Sequence, residues 1–159
     1  MAKIITAAEA ADLIRDGMTL GVSGFGAFAS PDYVMEAMSR KFKEQNTPRD
    51  LTIVSGVAPG DFVEDGCGLS KIKDEGIIRT LIASHLRMSP AIGRACSENK
   101  IAAFSMPLGV YGQLMNAIGG KRPGIITHVG LNTYADPRQD GCKMNELAKA
   151  DGRELVELI

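Results

Sequence analysis

Residues 16–31, DGMTLGVSGFGAFASP, constrain this chain more than any other stretch. A short apolar strand at 18–22 runs into a glycine-rich loop, Ser23-Gly24-Phe25-Gly26, and a helix start follows at Ser30-Pro31. A strand, an open loop and a helix N-terminus in succession commit the chain to a βα unit. They also offer main-chain N–H groups to an anion. Glycine matters because a missing Cβ lets the backbone approach a ligand closely.

The same alternation continues. Thr6 and Glu9 fit a capping box for a helix over 7–16 that stops at Gly17. A second helix takes Ser30 as N-cap and Pro31 at N1. Its apolar stripe is Val34, Met38 and Phe42, and it ends before Pro48. Strands are expected at 51–55, 76–84 and 101–105. Ser89-Pro90 starts a helix that ends near Asn99, and another helix covers 110–118. Residues 56–68 read as a long loop, and 126–141 as a less regular region. Strands alternating with helices of this length predict a single α/β domain over 1–159, an open, mostly parallel sheet with helices on both faces.

Composition narrows the partners. A net charge of −1 and no Trp argue against nucleic acid or an anionic membrane held by a basic field. Residues 1–17 contain no apolar leader core, and no apolar run is long enough to span a bilayer. Cys67, Cys96 and Cys142 are odd in number and lack metal-ligand spacing. A reducing cytoplasm is expected, with no metal and no permanently bound cofactor. The chain finishes on GRELVELI, an apolar run that reads as if the natural polypeptide continues.

Three loops leave strand ends: 23–29, 56–60 and 106–109. All carry glycine, and ligands of open α/β sheets sit at the carboxyl ends of strands. The candidate binding residues are therefore Ser23, Gly24, Phe25, Gly26, Gly56, Val57, Leu108 and Gly109. They would take a small carboxylate or acyl group. Glycine-rich turns with no ligand are the plain alternative. No GxGxxG or GxxxxGK[ST] run supports a nucleotide. His85 reads as structural, and His128 as having a packing or supporting role. Cys67 has no activating neighbour in sequence. Residues 71–75, KIKDE, read as a solvated helix face, and the methionines as core filler.

The segments DGMTLGVSGFGAFASP, LTIVSG, HLRMSPAIGRACSENKIAAFSMPLGV and RPGIITHVGLNTYADPRQDGCKMN together resemble the N-terminal half of family I coenzyme A-transferases. The single-chain acetate/propionate type is the nearest pattern. Asp16, Gly17, Gly24, Phe25 and Pro31 match the family's first signature. Ser23 and Ala29 stand where it has glycine. Leu108 stands where the family often has Gln, a side chain that lies near the acyl group in relatives.

The resemblance implies ping-pong transfer of coenzyme A between carboxylates through a glutamyl-CoA thioester. Coenzyme A and acyl-CoA would be substrates, and the nucleophilic Glu would lie in a C-terminal (beta-type) half or subunit. It also implies a homo-oligomer. The family's Glu often lies in a Ser-Glu-Asn-Gly run, which Ser97-Glu98-Asn99-Lys100 imitates here. Glu98, however, falls at a helix end on the amino side of a strand, so no catalytic residue is assigned and this chain alone is expected to be inactive. The alternative is a non-catalytic domain on the same scaffold that binds small acids or acyl-CoA. A sugar-phosphate isomerase would need a crevice base, for which only Asp61 and Glu64 offer themselves.

Overall fold

The computed structural model describes residues 3–159; the first two residues of the 1–17 stretch read above for a leader lie outside the described residues. Four parallel strands pair in sequence order: β1 (Thr19–Val22), β2 (Leu51–Ser55), β3 (Ile78–Ala83) and β4 (Ala102–Ser105). The helices are α1 (Ala7–Asp12), α2 (Asp32–Gln45), α3 (Pro90–Ser97), α4 (Leu108–Gly119) and α5 (Glu146–Ala150), with a 3-10 helix over Gly68–Ile72.

Sequential order explains the layering. Each step to the next strand goes the same way, so crossovers of the usual hand fall on one face. Met35 and Met38 of α2, Leu69 and Ile72 of the 3-10 helix, and Ile92 and Cys96 of α3 share one core. Leu51, Ile53 and Leu81 complete it. The chain beyond β4 closes the other face. There Val110 of α4 and Ala148 of α5 pack on Ile82, Ala102 and Phe104. Each fully buried large side chain contributes about 1.5–3 kcal/mol. The strand order never reverses within this chain, so the described residues contain no topological switch point. The case for a carboxyl-edge site rests on the loops alone.

Several helix ends differ from the sequence reading. Thr6 and Glu9 do form the capping box. Yet α1 stops a turn early, because Asp16 is drawn off to accept from Thr47 Oγ1 and the Arg49 amide. Ser30 does not cap α2. Pro31 occupies the N-cap, and the buried Ser30 hydroxyl has no partner among the described residues. Ala29 adopts a left-handed φ of 55° just before, which turns the chain past the capping geometry. Ser89 keeps the N-cap position of α3, but its hydroxyl pairs with Ser70 Oγ instead (2.9 Å). Helix α4 starts at Leu108, two residues sooner than expected. Lys71 to Glu75 are not simply a solvated face, since Ile72 is buried in the core.

The 56–72 loop is locked by glycines. A Cβ on Gly60 would lie 2.2 Å from the Met88 carbonyl oxygen, and one on Gly68 2.1 Å from that of Pro59. Gly68 also has φ +66°, where a side chain is strained. Gly112, inside α4, faces open space. In urea unfolding, Gly68→Ala is expected to lose about 3 kcal/mol by overpacking. Gly112→Ala is expected to gain about 0.5–1 kcal/mol from helix propensity.

Candidate functional site

The strand ends are stitched before the loops begin. Ser55 Oγ, closing β2, donates to the Val22 carbonyl of β1 (2.8 Å). Ser105 Oγ, closing β4, donates to the Ser84 carbonyl (2.8 Å). That uses its one proton, so the Tyr134 hydroxyl 3.0 Å away must donate to Ser105.

The first loop is a tight hairpin. Phe25 and Phe28 exchange both main-chain hydrogen bonds (3.1 Å each) around Gly26-Ala27. Gly26, at φ +60°, is the first central residue, as a two-residue turn of this hand requires. Phe25 and Phe28 are thrown outward, 59% and 81% exposed. Gly24 has φ +127°, and a Cβ there would lie 3.0 Å from the Pro59 ring. Ser23 Oγ donates to the Ala29 carbonyl across the neck of the loop (3.0 Å).

The loops then converge. The Gly60 amide donates to the Gly26 carbonyl (3.0 Å), and the Ala58 amide to the carbonyl of His85 (2.9 Å). Gly26 N–H meets Met88 Sδ at 3.3 Å. From the far edge, α4 begins over Gly56, where a Cβ would lie 3.3 Å from both Leu108 Cδ1 and the Tyr111 ring. Contacts thus tie the loop of Ser23, Gly24, Phe25 and Gly26 to the 56–60 loop, and Gly56 to Leu108; Gly109 follows on α4 with open space beside it. Val57 is 1% exposed, so its side chain belongs to the core beneath them.

Two sets of main-chain donors at the carboxyl end of the sheet lack protein acceptors among the described residues. The Gly24 amide meets no protein acceptor among the described residues. The first hydrogen bond inside α4 runs from Tyr111 to Pro107, which leaves the amides of Leu108 and Gly109 without an intrahelical acceptor. Both donor sets suit a carboxylate or a developing oxyanion. Leu108, half exposed, adds apolar surface and no donor.

Carboxylates are already engaged. Asp32 accepts from the Gly68 amide (2.9 Å). Desolvation pushes the Asp61 carboxyl up, but the amides of Val63 and Cys67 outweigh it and hold it below the usual range. Glu64 is ion-paired with Arg94. Neither acid is a free base, which removes the residue basis for an isomerase. Burial and the Asp61 and Asp32 carboxylates push the Cys67 thiol up, so it is a poor nucleophile.

Glu98 lies at the opposite edge. It lines a cavity of about 320 Å³ together with Ile78 and Ile101, at the amino ends of β3 and β4. There it pairs with Lys100 (3.1 Å), which also reaches Glu75. His85 is exposed, its Nδ1 accepting the Arg87 amide (3.1 Å). His128 is exposed on the wall of a groove bounded by Leu114, Ile126 and Leu158, so the packing half of its reading does not hold.

Sequence reasoning missed the supports. Residues 142–144 run antiparallel along β4, with bonds from the Ser105 amide to Cys142 and from the Met144 amide to Ala103. This covers the sheet edge and brings up the segment that carries Tyr134. Asp136, 1% exposed, anchors that segment. Its carboxylate takes two bonds from the Arg138 guanidinium and one each from the Asn132 and Arg138 amides. The spacing Asp136-Pro137-Arg138 was the available signal.

The chain belongs to the coenzyme A transferase family, whose model matches residues 4–157. It is 41% identical to a caffeate CoA-transferase of Acetobacterium woodii, over 99% of this chain and 30% of that protein. The crystal structure of the acyl-CoA transferase YdiF apoenzyme from Escherichia coli O157:H7 superimposes with a TM-score of 0.89 at 34% identity. That match covers 98% of this chain and 30% of YdiF. The alpha subunit of an acetate CoA-transferase of Escherichia coli K12 is 28% identical over 84% of this chain and 57% of the subunit. The chain spans about a third of the first two relatives.

The Arg138 guanidinium, and then the Asn132 and Arg138 amides, hold the Asp136 carboxyl well below the usual aspartate range. A depressed folded-state value contributes stability that is complete above the unfolded value of about 3.9 and is lost as pH falls below it. Asp136→Asn is therefore expected to lower the urea midpoint at pH 7, with the gap to the native chain narrowing by pH 3. An equal gap at both pH values would contradict this.

Proposed function

We propose that this chain is the acyl-pocket half of a CoA-transferase that moves coenzyme A between short-chain carboxylates. The observation that carries the reading is that the amides of Gly24, after β1, and of Leu108 and Gly109, after β4, have no protein acceptor among the described residues and lie at the carboxyl end of the sheet. Family membership supplies the reaction class.

The chemistry divides between two halves. A glutamate carboxylate attacks the acyl-CoA thioester and expels the CoA thiolate, leaving a mixed anhydride. The thiolate then attacks the glutamyl carbonyl and releases the first carboxylic acid. A second carboxylate reverses both steps. Covalent catalysis replaces one hard exchange with easier ones. This chain's part is to hold the acyl carbonyl oxygen against main-chain donors. Those donors are fixed before charge develops, so little reorganisation is needed.

The glutamate comes from outside this chain. Asp32, Asp61 and Asp136 are engaged in local hydrogen bonds, and Glu98 faces the wrong edge. The partner is a C-terminal half or beta-type subunit, and the assembly is a homo-oligomer of such units in the cytoplasm.

Leu108 favours a second reading, a non-catalytic domain that binds acyl-CoA or small acids. It places a side chain without a donor at the head of α4. An exchange assay between acetyl-CoA and labelled short carboxylates decides between them, run on the chain joined to its complementing half. The expected results are exchange with the half present, none without it, and a borohydride-reducible glutamyl thioester outside residues 1–159. Binding without exchange supports the second reading. Glu98→Gln is expected to keep exchange within about twofold of the native rate, since the side chain is remote from the amides; a loss of a hundredfold or more would make it the nucleophile.

A further inference from the structure

We infer that Ser23 is a positioning residue: its hydroxyl latches the neck of the 24–28 loop, keeps Ala29 left-handed and thereby fixes the aim of the Gly24 amide. The last clause rests on the reading of that amide as an oxyanion donor; the latch itself does not.

The loop needs two unusual turns, one on each side of the Phe25–Phe28 hairpin. Gly24 makes the first at φ +127°, where glycine is at ease. Ala29 makes the second at φ +55°. An alanine there carries the clash between Cβ and backbone that makes left-handed conformations unfavourable for L-residues. Something has to hold it.

The tip of the loop is tethered at Gly26, to Gly60 and to Met88 Sδ. Neither bond reaches the neck. Across the neck runs the bond from Ser23 Oγ to the Ala29 carbonyl, at 3.0 Å. Ser23 is exposed and its side chain fills no core, so the hydroxyl has no packing role to explain it. The bond ties the residue just before Gly24 to the one whose conformation is strained. Releasing it lets Ala29 fall back to negative φ and rotates the peptide planes on both sides of the hairpin. The Gly24 amide and the Phe25 ring turn with them.

The latch is therefore needed because residue 29 is alanine. A glycine at 29 would adopt the same φ without strain, and the hydroxyl at 23 would become dispensable. Two positions read separately as departures from a family pattern act as one unit.

The test is a double-mutant cycle on this chain, read by hydrogen exchange of the bonded amides of Phe25, Gly26 and Phe28 and by urea midpoint. Ser23→Ala is expected to speed exchange of those amides by about tenfold, the scale of one lost hydrogen bond, with the midpoint nearly unchanged. Ser23→Thr, which keeps the hydroxyl, is expected to stay near native. In an Ala29→Gly background, Ser23→Ala is expected to change exchange by less than about twofold.

Equal effects in both backgrounds would overturn the inference, as would no effect of Ser23→Ala in either. In the chain joined to its complementing half, Ser23→Ala is expected to lower kcat for thioester exchange by about tenfold, the same fold-change carried to the reacting group. The KM for acyl-CoA should be little changed, and Ala29→Gly should restore kcat. A fall confined to KM would show that the latch does not aim the amide. If no thioester exchange occurs in any variant, the functional reading fails while the amide-exchange cycle still decides the latch.

Discussion

The approach of Gly60 to the Met88 carbonyl is the contact on which the carboxyl edge depends. The space between them has no room for a Cβ, and Gly68 meets Pro59 just as closely. Backbone lies on backbone, with no flexible side chain to absorb an error. The loop after β2 is thereby fused to the loop after β3, and through the Gly60–Gly26 hydrogen bond to the hairpin after β1. Three segments far apart in sequence are tied together at Gly60, with the neck of the first loop held by Ser23. A site made of main-chain amides needs this, because its donors must already point correctly when charge appears.

The two ends of the sheet have different chemistry. At the carboxyl end serine hydroxyls stitch strand to strand, and Asp32 and Asp61 are taken up by local amides. At the amino end Glu75, Glu98 and Lys100 form an exposed ion-pair cluster. Charge is where water screens it, and unpartnered donors are where a ligand can reach them. A nucleophilic carboxylate facing the amides would have to come from another segment. That agrees with a chain that covers only part of its relatives' length.

Much of this was legible in the sequence. The four strands fall where apolar runs bounded by turn residues place them, and Thr6 and Glu9 make the box that their spacing implies. Local signals failed where a tertiary partner outcompeted them. Asp16 left α1 for Thr47 and Arg49, and Ser89 gave up its cap for Ser70. Helix α5 was missed although Asn145 caps it, because it is five residues long with a weak period. The loop tips were found by their glycines. Their supports were not: Met88 and Tyr134 act through contacts that no spacing encodes, and the local Asp136–Arg138 pairing was passed over. Val57 was chosen for its place in a loop and proved to be core.

The central claim is that main-chain amides at Gly24 and the head of α4 hold the acyl carbonyl oxygen. The most direct measurement is a crystal structure of the complete enzyme trapped as its acyl or glutamyl thioester. The account predicts that oxygen at about 2.9 Å from the Gly24 nitrogen or from a first-turn nitrogen of α4. An oxygen held by side chains elsewhere, with the Gly24 and Gly109 amides turned to water, would contradict it.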